Sequence, residues 1–322
     1  MRILLTNHAL CGPGGTETWT CQTVWALKEM GHEVSVYTMM PGQIFAELGK
    51  YCETVEEIHP DKYDLVMSNH NTCLYEALCA EAPIIHTCHG PAHGLEHPVV
   101  GAGQYVGVSE EVRLNGASYG FDMEVISNGV DLFHFHPTPQ RHDTPRVLSL
   151  CKSVGASYML SDACRLVGYD YEWFHYVEKP LKNVAEAMQE ADIVVGCGRT
   201  VVEALACGRE ALVFDGRLDE PLADGWVTNE NVEDLRRSNF SGRRRNYKWG
   251  MQQLTRALEQ FRPRYWQRAW AVKHADIHRK AEEYLALYAR MTKDDGTISE
   301  TGAREATQGR TSTRRGRQLE TA

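Results

Sequence analysis

The chain has 322 residues, of which 43% are hydrophobic and 24% charged, and it carries a formal net charge of −9. These values are typical of a globular protein, and the length predicts two domains with substantial hydrophobic cores. The negative charge argues against a dedicated nucleic-acid binder, and no apolar run approaches the roughly 18 residues that a membrane-spanning helix requires. Because the first apolar run is also too short for a secretory signal, we expect a cytoplasmic protein.

The first part of the chain alternates between apolar strand patterns and helical patterns. RILLTNH predicts a strand, Thr16 to Met30 a helix, and HEVSVYT a second strand. A right-handed crossover makes such strands parallel. The alternation continues through YDLVMSN and APIIHTCHG to MEVISNG, so the pattern predicts one doubly wound domain over residues 1–133.

A second alternation follows a stretch rich in proline and histidine, 134–145, which predicts a linker. It runs from RVLSLCK through DIVVGCG to EALVFDG and predicts another parallel sheet over 146–261. This second domain is short and lacks one strand-helix unit. The pattern over 262–291 is helical, and 292–322 hold too few apolar residues to fold, which predicts a disordered tail.

The stretch GPGGTET lies where the first strand gives way to a helix. Ligands of open parallel sheets bind beyond the carboxyl ends of the strands. Glycines let the backbone approach a ligand closely, and the free N–H groups of the next helix favour anionic or hydroxyl-rich ligands. The spacing matches neither a dinucleotide-binding loop nor a P-loop. By themselves, Gly14 and Gly15 fit a ligand-binding turn and a plain tight turn equally well.

Four histidines cluster in HTCHGPAHGLEH, namely His86, His89, His93 and His97. The glycines and the proline between them break any helix that would stack these side chains, and the spacing matches no metal-binding pattern, so we expect no metal site. His89 differs from the others because it ends a strand beside the glycine turn. It is either a ligand contact or an ordinary core or loop histidine.

The stretch GRTVVEALACGREALVFD opens a helix after the strand DIVVGCG. If that helix starts at Arg199 or Thr200, Glu203 lies in its first turn, close to the free N–H groups and to anything docked at the strand end. Helix capping alone would also explain a glutamate there.

Four stretches, in this order, resemble the family 4 glycosyltransferases: GGTET, HTCHG, the segment from VGVSEEV to SNGVDLFHFHP, and GRTVVEALACGREALVFD. The third is the most specific, and together they cover most of residues 1–230. The resemblance implies an α/β protein of GT-B architecture, with two doubly wound Rossmann-like domains facing across a cleft and a C-terminal helix that crosses back. It also implies a retaining hexosyl- or related transferase that uses a nucleotide-sugar donor, such as a UDP- or GDP-sugar, without a metal or other cofactor.

The resemblance implies roles for particular residues. His89 would be the catalytic residue that contacts the donor sugar near the reacting centre. Lys152 would hold the diphosphate, and Glu203 would accept hydrogen bonds from the ribose. The remaining implied donor-binding residues are Gly14, Gly15, Arg199, Thr200 and Val201. The donor would lie mostly on the second domain, which leaves the acceptor to the first.

After the second domain, the resemblance implies that the segment YWQRAWAVKHADIHRKAEEYLALYARM crosses back over the first domain. Its apolar residues favour a packing face over an aromatic binding platform. They are Trp266, Trp270, Ile277, Tyr284, Leu285 and Tyr288.

Two departures from the family pattern leave a second function open. Of the two glutamates that the family often has, separated by seven residues, the first falls at Val195 here, and the second domain is short. Both fit a non-catalytic sugar- or nucleotide-binding module on a degenerate scaffold. The basic stretches SGRRRNYKWG and RRGR raise a third function, a glycosyltransferase acting on a modified nucleic-acid base. The sequence favours a glycan, a lipid-linked or a small-molecule acceptor over nucleic acid.

Overall fold

The computed structural model describes residues 1–139, 142–174, 183–216 and 221–308, with side chains as far as Lys293. Each half of the chain forms its own sheet, and helices cover the faces of both sheets. The predicted α/β architecture of two doubly wound domains is therefore confirmed.

The first domain is a seven-stranded sheet in the order β3-β2-β1-β4-β5-β6-β7, and all its strand pairs are parallel. Its strands are β1 (Arg2–Leu10), β2 (Glu33–Pro41), β3 (Glu53–Val55), β4 (Leu65–Asn69), β5 (Ile84–Cys88), β6 (Gln104–Gly107) and β7 (Glu124–Val125). Its helices are α1 (Gly15–Glu29), α2 (Gln43–Leu48), α3 (Asn71–Ala77) and α4 (Glu110–Ser118). The order reverses between β1 and β4, which places a ligand crevice at their carboxyl ends.

The burial of the central strands explains why they read as apolar runs. Ile3, Leu4 and Leu5 of β1 are all fully buried although neighbouring side chains point to opposite faces of the sheet. Ile3 and Leu5 belong to one core cluster and Leu4 to another. Both faces of this sheet are therefore covered, as in other parallel sheets.

The second domain is a six-stranded sheet in the order β13-β12-β11-β10-β8-β9. Its strands are β8 (Arg146–Ser149), β9 (Asp170–Trp173), β10 (Ile193–Gly196), β11 (Glu210–Asp215), β12 (Leu222–Trp226) and β13 (Tyr247–Lys248). The helices are α5 (Val154–Val167), α6 (Val184–Gln189), α7 (Arg199–Ala206), α8 (Val232–Arg236) and α9 (Met251–Glu259). Among the described residues, β9 is the outermost strand on its side.

The four strands predicted for the second sheet, β8 to β11, are parallel as expected, but two further strands that the sequence did not predict lie at one edge. The strands β12 and β13 are antiparallel to their neighbours. The chain passes from Asp215 at the end of β11 to Leu222 at the start of β12, too short a connection for the crossover of a dozen or more residues that a parallel pair needs.

The chain then returns to the first domain through α10 (Gln267–His274) and α11 (Ile277–Gln308). Ile277 and Tyr284 pack into the first domain's core, and the Tyr284 hydroxyl lies 3.1 Å from Thr87 Oγ1 on β5. Trp270 instead packs in the core of the second domain. The predicted helix that crosses back is confirmed, and its aromatic residues form core.

α11 continues beyond residue 291, where the sequence predicted that a disordered tail begins, and it is helical as far as Gln308. A helix that packing has already nucleated lengthens by propagation alone, which costs much less than starting a new helix. The rest of the predicted tail, 309–322, lies outside the described residues.

No helix in the described part of the chain is both long enough and apolar enough to cross a membrane. The ten cysteines are free thiols, and five of them are buried.

The return crossing depends on a close approach of two backbones. Val130 donates to the carbonyl of Ala275 at 2.7 Å, and Ile277 donates to the carbonyl of Val130 at 3.1 Å. A Cβ on Gly129 would lie 2.8 Å from Cα of Ile277, so this position leaves no room for a side chain.

We expect Gly129→Ala to lower the free energy of unfolding by about 1–3 kcal/mol, since overpacking here pushes α11 away from the first domain. The measurement is chemical denaturation. Gly155→Ala is the control, because that glycine lies within α5 and its added Cβ would meet only Ser153 Oγ at 3.8 Å. Equal stability of the two variants would contradict the inferred close approach.

Candidate functional site

The two sheets direct the carboxyl ends of their strands at one cleft, which has a cavity volume of about 510 Å³. The first domain lines it with the turns after β1 and β5, and the second domain with the turns after β8, β10 and β11. A larger depression of about 860 Å³ lies against β9 and α6, but the second domain alone lines it. The cleft between the domains is therefore the candidate site.

The sequence-predicted residues converge on this cleft with one exception. His89, Gly14, Gly15, Lys152, Arg199 and Thr200 line the cavity, and Glu203 lines an adjoining part of it. Val201 does not, because its side chain is 1% exposed and packs in the core of the second domain. Its backbone N–H donates to the Gly198 carbonyl at 3.1 Å, so it is already used within the helix turn.

The glycine turn ends β1 and begins α1. Gly14 is the N-cap and has an extended backbone, with φ −158°. A Cβ on Gly14 would lie 2.1 Å from Oε2 of Glu17, whereas a Cβ on Gly15 would meet nothing within 4 Å. The bare backbone at Gly14 thus makes room for the carboxylate of Glu17 in the first turn of α1, while Gly15 faces open space.

His89 follows β5, and its ring is fixed on several sides. Its Nε2 lies 2.8 Å from Oδ1 of Asn69, and the Trp19 ring packs edge-on against it with 5.2 Å between centroids. Burial lowers the pKa of His89 to about 4. The imidazole is therefore neutral at physiological pH.

Three residues that the sequence interpretation missed surround His89. Asn69 ends β4, and His70 follows it with φ 66°, a left-handed conformation that is uncommon outside glycine. The carboxylate of Glu96 accepts the His89 backbone N–H at 2.5 Å and lies 3.4 Å from His70 Nε2. A signal was present in the sequence, because SNH lies at the end of β4 and HTCHG at the end of β5, and these two strands are neighbours in the sheet.

The buried Glu96 carboxylate is held ionised. Burial opposes its charge, but the hydrogen bonds from the His70 ring and from the His89 backbone N–H favour the ionised form, and the pKa of Glu96 is lowered overall. The N–H of His8 donates to Nδ1 of His70 at 3.2 Å, which leaves the His70 proton on Nε2, facing Glu96. Hydrogen bonds thus connect His8, His70, Glu96 and His89 in one polar network beside the cleft.

The helix α7 begins at Arg199, and its N-cap Gly198 has φ 62°, a conformation that favours glycine. The sequence predicted that Glu203 lies in the first turn of this helix. Because Glu203 is four residues after Arg199, it lies in the second turn instead. The helix starts at Arg199, one of the two predicted positions, but a turn holds about 3.6 residues, so its fifth residue is already in the second turn.

Arg199 and Glu203 form a buried ion pair, with 3.2 Å between Nη2 and Oε1. Arg199 also donates from Nη1 to the Gly129 carbonyl of the first domain at 3.0 Å. Burial raises the pKa of Glu203, and the neighbouring guanidinium opposes that rise. The arginine charge is thus partly neutralised before any ligand binds.

A second contact between the domains closes the far side of the cleft. Arg243 binds both carboxylate oxygens of Glu111 at 2.8 Å, and its Nη1 lies 4.0 Å from the buried Asp215 carboxylate. Asn128 of the first domain donates to Asn239 of the second at 3.1 Å. Among the described residues, no group of three or more His, Cys, Asp or Glu side chains is arranged to hold a metal ion.

We expect Arg199→Leu to lower the free energy of unfolding by about 3–5 kcal/mol, because it leaves a buried carboxylate without its partner. Burial already raises the pKa of Glu203, and without the guanidinium that pKa rises further, so the folded state binds this proton more tightly than the unfolded state does. The loss should therefore be larger at pH 8 than at pH 5.5, where protonation removes the buried charge. Chemical denaturation at both pH values measures it.

The double variant Arg199→Leu with Glu203→Leu should recover most of the lost stability, because it removes both charges. A loss that is small in the single variant and equal at the two pH values would contradict the buried pair.

Comparisons with known proteins agree with this architecture. Residues 13–133 match the family model of Glycosyltransferase Family 4, which confirms the resemblance read from the sequence. None of the curated protein sequences compared with the chain matches it.

Among solved structures, the chain is similar to AviGT4, a glycosyltransferase involved in avilamycin A biosynthesis, at 15% identity and a TM-score of 0.57, covering 90% of this chain and 97% of that one. It is also similar to Acinetobacter baumannii MurG, at 13% identity and a TM-score of 0.54, covering 90% and 100%. An alpha-glucosyltransferase in complex with UDP and a 13-mer DNA containing a HMU base is similar at 10% identity and a TM-score of 0.52, covering 92% and 99%. The chain has the GT-B fold.

Proposed function

We propose that the protein is a glycosyltransferase that moves a sugar from a nucleoside diphosphate sugar to an acceptor, with retention of configuration and without a metal. The observation that carries the proposal is the convergence of His89, Lys152 and the N-terminus of α7 on one cleft between two Rossmann-like domains. The family resemblance of residues 13–133 supports the reaction class.

The chemistry suits these groups. Departure of the nucleoside diphosphate builds negative charge on its phosphates, and a cation and a helix N-terminus aimed at that charge stabilise the transition state. Lys152 follows β8, and α7 follows β10, so both lie at strand ends that adjoin in the sheet. In the proposal Lys152 and the N-terminus of α7 both bind the diphosphate.

Glu203 would accept hydrogen bonds from the nucleotide ribose. A carboxylate offers several acceptor positions when it is ionised, and the ion pair with Arg199 favours that state despite burial. In the proposal Arg199 opposes the effect of burial on Glu203, and Lys152 carries the larger share of the phosphate charge.

A non-catalytic binding module is the second candidate, and Val195 is the observation that favours it. This residue stands where the family often has its first glutamate, and it is fully buried within β10. It contributes no polar group to the cleft. The two candidates differ in donor turnover, which a binding module lacks.

Nothing in the described structure favours a nucleic-acid acceptor. Arg243 is paired with Glu111 and Arg244 with Asp234, so two arginines of the basic stretch are neutralised by carboxylates. The second basic stretch, RRGR, lies outside the described residues.

We expect one nucleotide among UDP, GDP and ADP to raise the thermal midpoint of the wild-type protein. A ligand at 100 times its Kd adds about 2.7 kcal/mol of stability. Glu203→Gln, which keeps the size of the side chain, should lose most of the shift, whereas Glu259→Ala at the exposed end of α9 should keep it. No shift with any of the three nucleotides would contradict the proposed donor site.

We expect Lys152→Ala to lower kcat for nucleotide release from the matching nucleotide sugar by about 10²- to 10³-fold, the usual cost of losing one group that stabilises transition-state charge. Nucleotide release by coupled assay is the measurement. A wild-type protein that binds the nucleotide sugar but releases no nucleotide with any acceptor would favour the binding module instead.

A further inference from the structure

We propose that Asn69 is a positioning residue that keeps the His89 proton on Nε2, so that the Nδ1 lone pair accepts a hydrogen bond from a hydroxyl group of the bound sugar. This inference rests on the proposed function, and it adds a residue and a required tautomer to the site.

The orientation of the Asn69 amide is fixed by the sheet. Its Nδ2 donates to the carbonyl of Thr6 on β1 at 2.8 Å, so its Oδ1 is the atom that faces His89. The side chain is fully buried, which holds both bonds away from water. Because an amide oxygen can only accept, Nε2 of His89 must donate to it and therefore carries the proton.

The rest of the His89 environment leaves Nδ1 available to a ligand. Glu96 accepts the backbone N–H, and Trp19 packs against the ring. No described residue forms a hydrogen bond with Nδ1, although His89 lines the cleft. In a neutral imidazole that donates from Nε2, Nδ1 is an acceptor.

The charged groups around His89 act in opposite directions on its protonation. Burial is the main effect and lowers the pKa, Glu96 raises it, and His70 and Arg199 lower it. Asn69 itself contributes no charge. A neutral side chain at this position therefore adds nothing to the pull of Glu96 toward the imidazolium, in which Nδ1 would be a donor.

The tautomer limits what can bind beside His89. A lone pair on a neutral ring favours a hydrogen-bond donor such as a sugar hydroxyl and gives no attraction to a phosphate, which only accepts. The donor would therefore lie with its sugar toward the first domain and its diphosphate toward Lys152 and α7.

The test exchanges the amide for a carboxylate. In Asn69→Asp, an ionised oxygen next to Nε2 favours the imidazolium, in which Nδ1 donates and can no longer accept. The acidic limb of kcat/KM should move up by about 1–3 pH units. Nucleotide release from UDP-glucose, GDP-mannose and ADP-glucose is measured between pH 5 and pH 8.5. The wild-type rate should be nearly constant, and the variant rate should be about tenfold lower at pH 5 than at pH 8.

Asn7→Asp is the matched control. Asn7 is an equally buried amide on β1, but it bonds to Thr20 and to the Ala9 N–H and not to His89. It should lose stability without moving the acidic limb. An unmoved limb in Asn69→Asp, or an equal shift in both variants, would overturn the proposal.

A second measurement needs no turnover and no variant at Asn69. Nitrogen NMR of the ¹⁵N-histidine-labelled wild-type protein should show His89 as the Nε2–H tautomer from pH 5.5 to 8.5, and His89→Gln assigns the signals. A proton on Nδ1 would overturn the proposal even if the protein is an active transferase. If the tautomer is as stated but no nucleotide sugar binds, the proposed function fails and the substrate contact of Nδ1 fails with it.

Discussion

A short parallel backbone pairing joins the two places where the chain passes between the domains. The chain leaves the first domain at Val130 and comes back beside that residue at Asp276, and the two crossings are hydrogen-bonded to each other. The absence of a side chain at Gly129 allows this close approach. The Gly129 carbonyl also accepts a hydrogen bond from Arg199 of α7. Gly129 therefore contacts both α11, which returns to the first domain, and α7, whose N-terminus lines the cleft.

The charges of the cleft are also paired within the protein itself. Arg199 satisfies Glu203 and a carbonyl of the other domain, and Glu96 satisfies the His89 N–H while it pairs with His70. A buried charge is costly unless it is paired and hydrogen-bonded. The cleft is therefore assembled in advance, and a ligand would meet oriented groups that need little rearrangement.

The sequence predicts the parts of the fold that depend on local periodicity. β1 and α1 begin and end within a few residues of their predicted bounds, because each buries a face whose period is visible along the chain. The antiparallel β12 is not visible in that way, since its direction depends on the length of a connection and on pairing with β11. A pattern of apolar residues predicts that a segment is buried but does not indicate the direction in which it runs.

The same distinction applies to the site. Glycine turns and strand ends placed most of the lining residues correctly in the cleft, because the carboxyl ends of parallel strands always meet at one edge. The amide of Asn69 and the buried state of Val201 depend on which atom faces which neighbour. Spacing along the sequence does not indicate which atoms face each other. Such contacts can be identified only from the positions of the side chains in the structure.

The position of Val195 shows how this cleft differs from the family pattern. Val195 is the third residue of β10, and its backbone pairs with Ser149 and Leu212 inside the sheet. A carboxylate there would be buried among apolar neighbours at a cost of several kcal/mol. Val195 is therefore part of the apolar core and does not stand at a polar position of the cleft that merely lacks its glutamate.

If the protein transfers a sugar, the role of the first glutamate must be taken by groups already at the strand ends. Lys152 and the first turn of α7 are the groups so placed on the second domain, which is why the rate lost in Lys152→Ala bears so directly on the choice between an enzyme and a binding module.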